Sequence, residues 1–215
     1  MRMRAKKWAR PELAACPYFI KEPAANRGKW AAAFRKKQPL YLELGCGKGG
    51  FLAQLAFENP DINFVGIDLI SDVLAVARRN IQALYDQNER PVENVLLTSI
   101  EITRIELDFS EKDVADRIYI NFCNPWFKHS QHKKRLTHPF QLEKYRAFLK
   151  DGGEIWFKTD DDALFEDSLL YFEEAGFQVL RKTADLHNEP DWPENVMTEH
   201  ELLFTEKGIP IKAAI

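Results

Sequence analysis

The stretch PLYLELGCGKGGFLAQLAFENPDINFVGID, residues 39–68, reads in turn as a strand, a glycine loop, a helix and a second strand. PLYLELG (39–45) is the first strand, Gly49–Glu58 the helix, and INFVGID (62–68) the strand that ends on Asp68. A strand–helix–strand unit of this length makes the two strands parallel neighbours. Gly45, Gly47 and Gly50 fit G-x-G-x-x-G, and glycines there let the backbone approach a ligand closely. Lys48 lacks the G-x-x-x-x-G-K-[ST] context, which excludes a phosphate-binding P-loop.

The alternation continues outward. Ser71–Gln87 is a predicted helix with Ser71 as its N-cap. Residues 93–99 and 116–123 are the third and fourth strands, followed by a helix over Phe140–Leu149. A fifth strand covers 152–159, a helix Asp161–Ala175, a sixth strand 177–182, and a seventh MTEHELLF (197–204). Upstream, residues 1–38 read as a basic arm with some helix around Lys29–Lys37. The prediction is therefore an α/β protein: a mostly parallel seven-stranded sheet with helices on both faces, over residues 39–215, preceded by the arm. Such sheets bind ligands at the carboxyl ends of their strands. Those ends carry Glu43–Gly50, Asp68, Ser99–Glu101, Asn124–Lys128 and Thr159–Asp162.

Composition narrows the class. The 215 residues are 45% hydrophobic, enough for one sizeable core. No apolar run approaches the roughly 20 residues of a membrane span, and the basic N-terminus lacks the apolar region of a secretory signal. Cys16, Cys46 and Cys123 show no C-x-x-C spacing, so a reduced, cytoplasmic protein without disulfides or a zinc knuckle is expected. The net charge of −3 hides an asymmetry: residues 1–37 hold eleven Lys/Arg against Glu12 and Glu22, a net +9, leaving −12 on the rest. Such a segment reads either as a solvated basic tail or as an arm that meets phosphates and orders on them.

Glu43 stands two residues before Gly45. There it would repel a pyrophosphate and suit the cationic amino acid end of S-adenosylmethionine, while Asp68 would accept from ribose hydroxyls in either cofactor class. Ser99 and Glu101 can reach an adenine amino group, or serve as a cap and a solvated acid. Asn124-Pro125-Trp126 is similar to the (D/N)PP(Y/W) loop of amino methyltransferases, with one proline missing, and Trp126 can stack on a base or pack under the loop. Lys128, Lys133, Lys134 and Arg135 follow, where a polyanionic substrate would pass. Four such cations would give a log–log salt slope of about −3 on a partly single-stranded target. His129 and His132 near Cys123 find no further ligands, so no metal is expected.

NFCNPWFKHSQHKKRLTH (121–138) resembles the N-F-[SP]-D-P-W-x-K-x-x-H-x-K-R-R signature of the bacterial tRNA (guanine-N7)-methyltransferases. MRMRAKKWA, residues 41–68, FKTD, DLH and NVMTEHE–F–GIPI extend the resemblance over nearly the whole chain. It implies a Rossmann-like, S-adenosylmethionine-dependent fold and methyl transfer to N7 of guanosine 46 in the tRNA variable loop. It also implies that Glu43, Asp68, Glu101 and Asn124, beside Gly45 and Gly47, contact the cofactor. Lys128, Asp160 and Thr198, Glu199, His200 and Glu201 would hold the guanosine, and Ser130, Gln131, His132, Lys133, Lys134 and Arg135 would lie on the RNA. The implied enzyme works on tRNA as a monomer or homodimer, away from membranes. Two positions depart from the signature: Asn124 replaces an Asp, and Gln131 stands at the His position with His132 one place along. An amide at 124 keeps a hydrogen-bond acceptor and loses the charge, which predicts a slower enzyme. Methylation of an exocyclic amine, a tRNA-binding homologue weakened by Asn124, and a nicotinamide oxidoreductase stay open on the residues alone.

Overall fold

A computed structural model describes residues 6–193 and 195–215. Residues 1–5 of the basic arm, with Arg2 and Arg4, lie outside the described residues. In chain order the elements are α1 (Ala9–Ala15), β1 (Phe19–Ile20), β2 (Leu40–Leu44), α2 (Gly50–Glu58), β3 (Asn63–Asp68), α3 (Ser71–Gln87) and β4 (Val95–Ser99). β5 (Ala115–Asn121), α4 (Pro139–Arg146), β6 (Leu149–Thr159), α5 (Asp162–Glu174), β7 (Lys182–Thr183), α6 (Glu199–Glu206) and β8 (Lys212–Ala214) follow.

The sheet has eight strands in the order β1-β4-β3-β2-β5-β6-β8-β7. β1 through β6 pair in parallel, and β8 runs antiparallel between β6 and β7. Strand order reverses between β2, which neighbours β3, and β5, which continues to β6. A crevice opens at such a switch point because the connections leave the sheet in opposite directions. The helix α3 shows why the pattern folds this way: Leu74, Ala77, Ile81 and Tyr85 recur at helical spacing and are all buried. No helix among the described residues is long and apolar enough to cross a membrane.

Five local expectations are corrected. MTEHELLF is not a strand: Thr198 caps α6, accepting from the Glu201 N–H at 3.0 Å while the Glu201 side chain returns to the Thr198 N–H. That reciprocal pair is the capping box T-x-x-E, which satisfies two helix N–H groups a strand would leave unpaired. Lys212–Ala214 supplies the central antiparallel strand instead, and of the predicted sixth strand, 177–182, only Lys182 falls in β7 (Lys182–Thr183). Ser71 is the first helical residue of α3, and Ile70, whose backbone is extended, is its N-cap; the Asp68 carboxylate takes the Ile70 N–H at 2.9 Å. The expected helix near Lys29–Lys37 is a 3-10 turn over Trp30–Ala33, whereas Ala9–Ala15 is helical. Lastly, the described part of the arm packs on the sheet: Ala9, Leu13, Trp30 and Phe34 join the main core and Phe19–Ile20 adds an edge strand.

Candidate active site

β2 ends in the glycine loop. Gly45, Gly47 and Gly49 all have left-handed φ, at +84°, +54° and +72°. A Cβ on Gly45 or Gly47 would meet nothing within 4 Å, so both face open space. At Gly49 a Cβ would sit 2.8 Å from that of Ala77, which makes Gly49 the residue that lets α2 and α3 close together. Asp68 at the end of β3 steadies the loop from below, accepting the Gly47 N–H at 3.1 Å.

Glu43 is 3% exposed, and its Oε1 accepts from Asn121 Nδ2 at 3.1 Å. Its Oε2 has no partner among the described residues, nor has Asn121 Oδ1. Burial pushes the Glu43 pKa up to about 7, against the Asn121 hydrogen bond and the nearby Lys158 ammonium. A buried carboxylate oxygen left unpaired is costly, and a cationic ligand group would relieve it.

A cleft of about 620 Å³ opens at the switch point, lined by Gly45, Asp68, Glu101, Asn124, Trp126 and Lys134 among others. Glu101 is exposed there, with Oε1 accepting from the Thr103 hydroxyl at 3.1 Å. The Ser99 hydroxyl turns away to the Leu69 carbonyl at 3.1 Å.

The loop after β5 is held in an unusual shape. Phe122 and Trp126 have φ of +51° and +45°, a left-handed conformation that side chains disfavour. Three hydrogen bonds hold it. The Phe122 N–H donates to the Lys158 carbonyl at 2.8 Å, the Trp126 N–H to Asn124 Oδ1 at 3.0 Å, and Arg135 Nε to the Pro125 carbonyl at 2.7 Å. Here two expected site residues are engaged inside the loop, and one expectation changes. One lone pair of the Asn124 amide oxygen is engaged inside the loop, which ties the side chain to the Trp126 backbone. Arg135 is 2% exposed, with Nη1 on Asp167 at 2.5 Å and Nη2 3.1 Å from His132 Nε2; it braces the loop and does not face solvent. Lys134 lies over the Trp126 ring at 5.0 Å and Lys133 over Phe140 at 5.2 Å. Lys128, Ser130, Lys133 and Lys134 are exposed, and Gln131 and His132 half-buried. Among the described residues no three His, Cys, Asp or Glu side chains cluster to hold a metal.

The predicted guanosine-holding residues divide. Asp160 is half-buried at the exit of β6, and its carbonyl accepts from Lys212 at 3.0 Å. Asp161 caps α5 through the Leu164 N–H at 2.6 Å, and Asp162 pairs with Lys212 at 2.6 Å. Glu199 pairs with Lys48 at 2.9 Å, tying α6 to the glycine loop, and His200 stacks on Phe122 at 5.8 Å. Glu201, in contrast, is 0% exposed: Lys158 donates to it at 2.8 Å and Asn195 at 2.5 Å, with His187 Nε2 at 3.3 Å. Thr198 and Glu201 therefore build the wall of the site and do not line it. Asn121, Lys158 and Asn195 were missed by sequence reasoning. A lysine in GGEIWFKT, among residues that bury a strand, was the available signal for Lys158.

On the other lip, Lys6, Lys7 and Arg10 share an open groove of about 510 Å³ with Leu69–Asp72, and Leu69 borders both this groove and the cleft.

Residues 37–214 match the family model described as "Putative methyltransferase". The chain is 55% identical to the tRNA (guanine-N(7)-)-methyltransferase of Clostridium beijerinckii, covering 100% of this chain and 98% of that one. It is 46% identical to the protein of the same name from Acetivibrio thermocellus, again over 100% and 98%. Among solved structures, the 16S rRNA methyltransferase KamB superposes with a TM-score of 0.59 at 13% identity, covering 82% of this chain and 86% of that one. An antibiotic-related methyltransferase gives 0.56 at 15% identity, covering 85% and 88%. At those identities the likeness establishes the shared fold alone.

Proposed function

The chain belongs to the tRNA (guanine-N(7)-)-methyltransferase family, and from that membership we propose that it transfers a methyl group from S-adenosylmethionine to N7 of a guanosine in tRNA, position 46 of the variable loop. One arrangement carries the reading: the glycine loop, Asp68 at the end of β3 and the aromatic, cation-rich loop after β5 meet in a single cleft at the switch point.

S-adenosylmethionine fits the residues present. The unpaired Glu43 Oε2 suits its ammonium, and Gly45 and Gly47 leave room for its close approach. Asp68 and Glu101 would hold the ribose and the adenine edge. When bound, the cofactor supplies an electrophilic methyl group on a sulfonium. N7 of neutral guanine is a free lone pair on the major-groove edge, so no residue has to remove a proton first. The protein's work is alignment and the exclusion of water. Trp126, braced from beneath by Arg135, offers a ring to stack the base. Lys128 from the loop after β5, Asp160 from the exit of β6, and Glu199 and His200 on α6 would surround the guanosine, with Thr198 and Glu201 acting through α6.

RNA would pass over Lys128, Ser130, Lys133 and Lys134 on one lip and Lys6, Lys7 and Arg10 on the other. The arm of residues 1–38 and the methyltransferase domain of 39–215 thus divide the labour of holding RNA and methylating it. A cytoplasmic monomer or homodimer acting on tRNA, with no metal and no membrane, completes the reading.

Labelled-methyl transfer to an unmodified tRNA transcript, with the modified atom mapped, tests it. N7-methylguanosine in the variable loop is expected. Label on an exocyclic nitrogen, or on no nucleotide, would sink the proposal.

A further inference from the structure

Phe127 is the most exposed large hydrophobic side chain among the described residues, with 79% of its surface open to solvent. It follows Trp126, which lines the cleft, and itself stands outside that lining, on the rim. A single exposed apolar residue is ordinary on a protein surface. Two features set this one apart. The backbone that carries it is held: Trp126 is left-handed at φ +45°, its N–H is taken by Asn124, and buried Arg135 takes the Pro125 carbonyl. A ring on so constrained a loop is ordered in advance, which lowers the entropy cost of meeting a partner. Its surroundings are also cationic. Lys128 is next along, and Lys133 and Lys134 are exposed on the same loop. Those two lysines lie over Phe140 and Trp126, at 5.2 and 5.0 Å. Among the described residues Phe127 carries no cation and stacks on no other ring, so its face is left for a partner.

Rings interleaved with cations suit single-stranded nucleic acid: the lysines take phosphates and an open ring takes a base. A strand that delivers a guanine into the cleft leaves the flanking base one nucleotide away, at the rim. We propose that Phe127 stacks on the unpaired base directly next to the target guanosine and so positions the strand for the cleft. The inference rests on the tRNA guanine-N7 reading above. Every base has a π-face, so Phe127 sets the register of the strand and not the identity of the flanking base. The contact forms when tRNA binds and persists in the transition state. Its loss should therefore raise KM for tRNA and spare kcat. A ring neutralises no phosphate, so the salt slope of binding should stay as it is, in contrast to the lysines.

The test is a cycle between the ring and the base, read both as kcat/KM and as tRNA affinity. Phe127→Ala should lower each by about tenfold on intact tRNA, with an unchanged Tm and an unchanged salt slope. Phe127→Tyr, which keeps the ring, should recover most of the loss. Phe127→Leu, which keeps apolar bulk without a π-face, should not. The second arm uses tRNA lacking the base on the 5′ or on the 3′ side of the target guanosine. One of these two substrates should cost the wild type about the same tenfold and cost Phe127→Ala nothing further. Full activity in Phe127→Ala or Phe127→Leu overturns the proposal, as does a Phe127→Ala loss that persists on both abasic tRNAs. A Phe127→Ala chain that binds tRNA like the wild type but loses self-association in sedimentation assigns the ring to a second copy of the chain, and equally overturns it. Absence of N7 methylation by the wild type overturns the function alone, because the affinity cycle still decides whether the ring meets a base.

Discussion

Glu43 holds its charge in a place that resists it. Burial raises its pKa to about 7 from an ordinary value of 4.5. The folded state therefore grips this proton more tightly than the unfolded chain, and stability is lost as pH climbs from near 4.5 through about 7. A cationic ligand reverses the preference, since it favours the carboxylate. Affinity for S-adenosylmethionine should rise between about pH 6 and 7.5 as Glu43 ionises, then fall above about pH 8 as the ligand's own α-amino group loses its proton. Glu43→Gln should remove the rising limb and keep the fall. Calorimetric titration across this range reads both limbs; a wild-type profile flat below neutrality would exclude Glu43 as the partner of the ammonium. The position of Glu43 was legible in the sequence because an acid two residues before a glycine loop has few reasons to be there. Its titration was not, because the burial that raises it comes from the strands packed on either side, and Asn121 and Lys158, which oppose the rise, lie far along the chain.

At the scale of elements, the loop of residues 122–135 and the helix α6 each sort their polar residues into those that build and those that touch. Arg135 builds. Arg135→Ala should cost about 3 kcal/mol of unfolding free energy, since a buried charged donor to Pro125 and Asp167 is lost. Lys133→Ala and Lys134→Ala should leave the Tm unchanged and each reduce the salt slope of tRNA binding by about 0.7–0.9. If Arg135→Ala kept its Tm and moved the salt slope instead, the residue would belong with the lysines. In α6, Thr198→Ala should cost about 1 kcal/mol as a lost cap. Glu201→Ala should cost about 3–5 kcal/mol, because it strands the buried Lys158 ammonium. Chemical denaturation separates this from a substrate role, which would raise KM and spare stability. The helix itself was readable from Thr198-x-x-Glu201; the alternating reading of MTEHELLF lost because a capping box satisfies the backbone locally and a strand there would have needed a neighbour.

For the molecule as a whole, the described part of the basic arm, residues 6–38, joins the core through Ala9, Leu13, Trp30 and Phe34. Trp30 is fully buried, its ring stacked on Phe109 at 4.8 Å, and Asp113 takes the N–H groups of Gly28 and Trp30 at 2.6 and 3.0 Å. Trp30→Ala should therefore destabilise by about 3–5 kcal/mol. Removal of residues 1–38 should abolish cooperative thermal unfolding, beyond any weakening of RNA binding. A truncated chain that melts cooperatively near the wild-type Tm would show the arm to be an accessory. Charge alone predicted a self-repelling segment; the apolar residues spaced through it, Leu13, Trp30 and Phe34, outweigh that repulsion once a sheet edge is available.

The sequence by itself determined the alternation of strands and helices, the glycine loop, the acids at Glu43 and Asp68, and the cations after Trp126. These are local signals: period, spacing and residue type act within a few positions. Only the tertiary structure decided which polar groups are spent on the protein and which remain for a ligand. Arg135 and Glu201 are buried by partners 32 and 43 residues away. Asn124 is the local case, its oxygen accepting from the Trp126 N–H two residues along. Each hydrogen bond uses up an orientation, and that assignment is fixed only when distant segments close around the site.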